Sequence, residues 1–291
     1  MKKLVNLSFA LSFYILLSGC REIPPIIDFG DKTKDTTYIS ANIPLPVKTK
    51  IFIEDLTGVR CQNCPKAAER LKAIMDANPD NTVALGVYFF PLFTLTAPWE
   101  NFDTLNTIDA DVIYTNIYNS PGNIPIGGVN RKLFNGETSI SISSTKWSGY
   151  ADLVKAQESP VIIGATVTSF DDVSRKAIIH VKVTFTKPYS EELDLSVYLT
   201  ESKIISKQSK DLGVLDSFYV HNHVLRKSLT SYPLKVNSVI KGNYEAGRVF
   251  EKDFEVVLKN KWKKENCSFA IIVNGINANT EVVQAEELHL D

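Results

Sequence analysis

The stretch that decides the fold is "IFIEDLTGVRCQNCPKAAERL", Ile51 to Leu71. It opens on a short apolar run halted by Gly58, which suits a buried strand. Two cysteines follow at Cys61 and Cys64, with Pro65 directly after them. Apolar residues at 67, 68, 71, 74 and 75 then recur at helix spacing. "NPDN" at 78–81 ends that helix, and "TVALGVYFF" at 82–90 reads as a second buried strand. Strand, helix and strand in this order form a βαβ unit, whose strands run parallel.

Working outward, residues 91–102 form an aromatic insertion with Phe93, Trp99 and Phe102. A helix is expected from Thr104 to Tyr118, with Leu105, Ile108, Val112, Ile113 and Ile117 on one face. "SPGNIPIGGVNRKLF" at 120–134 turns into another strand. At 143–157, N-cap serines precede a helix that places Trp147, Tyr150, Ala151 and Val154 on one side. From Ser159 the pattern changes to short period-two segments such as "KAIIHVKVTF" and "FYVHNHVLRKSL". Several such strands imply an antiparallel sandwich.

The N-terminus has Lys2 and Lys3, an apolar run from Leu4 to Leu17, and "LSGC" ending at Cys20. The run is too short to span a bilayer, and the pattern reads as a secretory signal over 1–19. Its ending looks like a bacterial lipobox, which makes Cys20 the lipidated first residue. Residues 20–47 then read as a proline-stiffened tether, in which "TTYISANI" is able to dock as an edge strand. The chain of 291 residues carries a net charge of −1 and no basic block. Nucleic acid is therefore an unsuitable partner, since phosphate binding needs clustered Lys and Arg.

With Cys20 assigned to lipid and Cys267 left over as a buried thiol, the exported chain has one cysteine pair. In an oxidising compartment such a pair favours a disulfide, redox-active or structural, over zinc, for which no second ligand pair exists. "HNH" at His221–His223 reads as a surface or interface pair. No metal or cofactor is expected.

Residues 48–157 resemble thioredoxin in the order of elements and in a CxxC at a strand-to-helix junction. That resemblance implies a cis-proline at Pro125, in "NIPIGG", and a proton-transferring Asp55 six residues before Cys61. It makes Cys61 the attacking thiolate, with Arg60 adding positive charge beside it, and Cys64 the resolving thiol. Two departures stand against it: Pro65 follows the pair instead of lying within it, and Arg60 replaces the usual aromatic residue. A redox dithiol and a loop staple both stay open.

Nearly the whole mature chain resembles the outer membrane protein 28-related lipoproteins. The motifs are "LSGC", "IEDLTGVRCQNCP", "IPIGGVNR", "FYVHNHVLR" and "VNGINANTEVVQAEEL". The resemblance implies an α/β thioredoxin-like domain at 48–157, an all-β, antiparallel immunoglobulin-like β-sandwich at 158–291, and an outer-membrane address. Two functions fit. One is a lipid-anchored, adhesin-type binding protein for a protein or glycan. The other is a thiol–disulfide oxidoreductase for exported proteins, with the sandwich as a docking or homo-oligomer module.

Overall fold

The period-two segments of the second half dominate the architecture. Strands hold 43% of the chain and helices 18%, so the protein is mostly β-sheet, with several antiparallel sheets. This computed structural model describes residues 34–90, 92–230, 240–276 and 279–290. The signal segment, Cys20 and the first part of the tether lie outside the described residues.

In chain order, β1 (Asp35–Ile39) and β2 (Val47–Lys48) precede β3 (Ile51–Thr57), α1 (Cys64–Ala77) and β4 (Thr82–Tyr88). A one-turn helix α2 (Phe93–Thr96), α3 (Ile108–Val112), β5 (Ile126–Val129) and α4 (Trp147–Lys155) follow. The remainder is strand: β6 (Glu158–Ser159), β7 (Val161–Asp171), β8 (Lys176–Phe185), β9 (Leu193–Glu201), β10 (Ile204–Ser209) and β11 (Leu215–His221). The last four are β12 (Val224–Ser228), β13 (Arg248–Val257), β14 (Cys267–Gly275) and β15 (Val282–His289).

One seven-stranded sheet runs β15-β14-β9-β12-β4-β3-β5. It continues across residues 157–160, where the sequence character changes, because β12 pairs in parallel with β4 at Val224 and Gly86. The described residues from Lys34 onward accordingly form one compact unit. β3 and β4 are parallel, with Ile51 opposite Thr82 and Thr57 opposite Tyr88. A four-stranded sheet, β1-β13-β8-β7, packs on the β9–β14 part through Val181, Val183, Leu195, Phe269 and their neighbours. β1 is the edge strand of that sheet, so residues 35–39 of the expected tether are docked.

Alternation along β3 divides its side chains between two cores. Ile51 and Ile53 meet Leu71 and Ile74 of α1 and Trp147 and Val154 of α4. Phe52 and Leu56 face Ile113, Tyr114, Tyr198 and Ile272 on the other side. Each such aliphatic side chain, buried fully, contributes about 1.5–3 kcal/mol.

The helix expected from Thr104 departs from the pattern. It begins only at Ile108, and residues Ile113–Ile117 form a π-helical turn. The reason is local. The Asn106 amide donates to the carbonyls of Phe89 and Thr96, which pins the chain there, and Thr107 caps the helix by accepting from the Ala110 N–H. Ile108, expected on the apolar face, is 75% exposed.

Candidate functional site

β3 carries Asp55 and then releases the chain into the loop that holds the cysteines. Cys61 and Cys64 form a disulfide. Cys64 is the first residue of α1 and Asn63 its N-cap, with no side chain capping the free N–H groups. Cys61 therefore sits ahead of the helix's first turn. β5 pairs antiparallel with β3, Leu56 opposite Ile126. Pro125 thus falls beyond the last pair, at the end of β3 where the cysteine loop departs. The Ile124–Pro125 bond is cis. Gly58 allows this crowding: a Cβ there would lie 2.4 Å from the Leu95 carbonyl oxygen and 3.1 Å from Ile124 Cδ1.

Both cysteines are enclosed, Cys61 being 3% and Cys64 2% exposed. On one side lies the aromatic insertion. Arg60 stacks on Trp99 at 4.0 Å and donates to the Ala97 and Pro98 carbonyls. The Arg60 guanidinium is thereby held on the aromatic insertion beside the cysteine loop. Next to the insertion lies the β10–β11 ribbon, a separate two-stranded sheet whose Lys207 sits over the Trp99 and Phe102 rings. Its Gln208 amide donates to the Cys61 carbonyl at 2.9 Å and to that of Gly58 at 3.3 Å.

Asp55 lies on the α1 side of the sheet, 4% exposed, and its Oδ1 has no hydrogen-bond partner. Desolvation raises its pKa from 3.8 to about 7. It borders a cavity of about 460 Å³ together with Leu71 and Met75 of α1, Tyr88 of β4, and Tyr219 and His221. The Tyr88 hydroxyl and His221 Nδ1 are hydrogen-bonded at 2.9 Å. Burial lowers the His221 pKa to about 4, so the ring is neutral near pH 7. Burial also raises Tyr219 to about 12. Gly86 lets the 221–223 turn close over the sheet, since a Cβ would meet the His223 and Asn222 carbonyl oxygens at 3.2 and 3.3 Å.

The expected site residues Asp55, Cys61, Cys64 and Pro125 thus gather at one end of β3, while Cys20 lies outside the described residues. His221, expected in a surface or interface pair, is buried and bonded to Tyr88. Among the described residues no group of three or more His, Cys, Asp or Glu is placed to hold a metal ion. Sequence reading missed Gln208 and the Tyr88–His221 pair, for which no local signal exists. It also missed Glu54, whose signal was visible: a charge inside an otherwise apolar buried strand needs a partner. Glu54 has one, accepting from Arg131 Nε at 2.8 Å, Arg131 Nη2 at 2.6 Å and the Tyr118 hydroxyl at 2.6 Å.

A predominantly β protein with an enclosed disulfide at a strand-to-helix junction is the class these observations define. The sequence matches the family described as Outer membrane protein Omp28 over residues 112–290. The chain belongs to this family of outer membrane lipoproteins, and its location is the outer membrane. Among the described residues no helix is long and apolar enough to cross a membrane. HBP35 of Porphyromonas gingivalis is similar in structure, with a TM-score of 0.61 and 15% identity, over 84% of this chain and 76% of that one. Protein AGR_C_4864 from Agrobacterium tumefaciens gives a TM-score of 0.50 and 14% identity, over 84% of this chain and 96% of that one. A domain of the outer membrane lipoprotein Omp28 from Porphyromonas gingivalis gives 0.30 and 16%, over 46% and 89%. At these identities the structural likeness concerns the fold alone. No curated protein sequence matches this chain.

Proposed function

We propose that this outer membrane lipoprotein, anchored through Cys20, exchanges thiols and disulfides with exported polypeptides at Cys61 and Cys64. In this reading residues 48–157 are a thioredoxin-like module and residues 158–291 an immunoglobulin-like β-sandwich that docks partners. The supporting observation is Asp55. A buried, unpartnered carboxyl costs stability and persists where its proton is used. With a pKa of about 7 it can give or take a proton near neutrality.

A substrate thiolate attacks Cys61 Sγ, the Cys61–Cys64 bond breaks, and Cys64 leaves as a thiolate that takes the Asp55 proton. A second substrate thiolate then attacks the substrate sulfur of the mixed disulfide and releases Cys61, which is protonated from solvent. The substrate departs as a disulfide, oxidised by two electrons, and the pair remains as two thiols. The reverse sequence reduces a substrate disulfide.

The test is insulin reduction by dithiothreitol with wild type and Cys61→Ser. Wild type is expected to accelerate the reaction and the variant is not. Equal behaviour of the two ends this reading. A second reading, a binding protein for a protein or glycan, draws on the outer face of the β10–β11 ribbon, where Ile205, Phe218 and Val220 are exposed, Phe218 by 80%.

A further inference from the structure

We infer that the β10–β11 ribbon is a hinged cover over the disulfide and that Gln208 is the positioning residue that holds it shut. This rests on the exchange reading for its purpose, though not for its geometry.

The ribbon touches the cysteine loop at its far end. Gln208 Nε2 donates to the carbonyls of Cys61 and Gly58, and the Ser209 N–H donates to the Val59 carbonyl at 2.9 Å. A bulge between Ser206 and Gln208 shifts the strand's register at this point. Such a shift re-aims side chains, and Gln208 lies buried against the loop. Lys66 and Asp211 add an ion pair at the tip; both are about half exposed and contribute little.

The opposite end is the base. The chain enters the ribbon from β9 and leaves it into β12 at adjoining points. There Lys203 N–H donates to Asn222 Oδ1 at 3.1 Å, and His223 N–H donates to Ser202 Oγ at 3.0 Å. Both connections therefore lie at one end, and lifting the far end breaks its hydrogen bonds to the loop together with the contacts of Lys207 on the Trp99 and Phe102 rings, at 5.3 and 5.2 Å. Two strands without a third are marginal on their own, and the outer face of this ribbon is exposed. Local opening of such a unit requires far less free energy than global unfolding.

The consequence is kinetic. With both cysteines enclosed, a reductant acts only on the open form. In the reduction step a dithiothreitol thiolate attacks Cys61 Sγ and Cys64 leaves. The second dithiothreitol thiol then closes to the cyclic disulfide and frees Cys61. If the cover controls entry, the rate rises with dithiothreitol and then levels at the opening rate.

The experiment follows reduction of the intact wild-type disulfide against dithiothreitol concentration, and repeats it with Gln208→Ala and Gln208→Glu. A plateau is expected in wild type, raised by about tenfold or more in both variants as the anchoring bonds are lost. Hydrogen exchange in unaltered protein gives a readout that needs no variant. The Ser209 amide should exchange with the same opening rate as the plateau, and far faster than amides of β9 and β14. A linear dependence on dithiothreitol unaffected at residue 208, or a Ser209 amide as protected as β9, overturns the cover. The insulin assay separates the two ideas: gated reduction without insulin activity leaves the cover standing and removes the exchange reading.

Discussion

Glu54 and Asp55 are neighbours on one strand, both carboxylic acids, both buried, and they face opposite sides of the same sheet. Glu54 is fully enclosed and gripped by Arg131 and Tyr118. Asp55 is 4% exposed and its Oδ1 has no partner. On one face a guanidinium and a hydroxyl hold the carboxyl, so Glu54 becomes part of the framework. On the other face desolvation acts on Asp55, and the group holds its proton up to about pH 7. The first arrangement serves stability and the second leaves a titratable group beside a cavity.

The contrast can be broken most forcefully on the Glu54 side. Glu54→Leu strands the Arg131 charge, and denaturant unfolding should show a loss of about 3–5 kcal/mol. A loss below 1 kcal/mol would mean that the pair is not structural. On the Asp55 side the effect takes the form of a pH slope. The folded protein keeps a proton that the unfolded chain releases between pH 3.8 and about 7. Stability therefore falls as pH rises through that window, by up to about 4 kcal/mol at about 1.4 kcal/mol per unit, and levels above it. Asp55→Asn should abolish that slope and make the protein more stable than wild type at pH 8. An unchanged slope would show that another group titrates.

The same Asp55→Asn variant sharpens the comparison in function. Losing the proton carrier should slow insulin reduction by about 10²-fold at pH 7, whereas Arg131→Lys, on the opposite face, should alter stability more than rate. The smallest effect belongs to the cavity wall. Tyr88→Phe deprives His221 Nδ1 of its partner and should lower stability by about 1–2 kcal/mol in the same unfolding measurement.

How much of this was legible follows from where each partner lies in the chain. β3, α1 and β4 are written in local apolar runs; of the residues marked by spacing, α1 buries 67, 71 and 74, together with Cys64 and Pro65 at its start, and leaves 68 and 75 half-buried. The cysteine pair, Asp55 and the proline that ends up cis are likewise local patterns around a strand end. The pairings that give the site its character are not. Arg131 is 77 residues from Glu54, His221 is 133 from Tyr88, and Gln208 is 147 from Cys61. One sequence carries no mark of such distant contacts, and so "HNH" reads as a surface or interface pair with no hint that His221 is buried against Tyr88. The β12–β4 pairing that joins the halves into one sheet is equally non-local, and its only trace is Gly86, which leaves room for the incoming turn.

Exchange at the Cys61–Cys64 bond is read out by its reduction potential, equilibrated against glutathione long enough for the covered form to open. A value between about −270 and −120 mV is expected, the range of disulfides that work by exchange. A value below about −300 mV would mark a structural bond and contradict it.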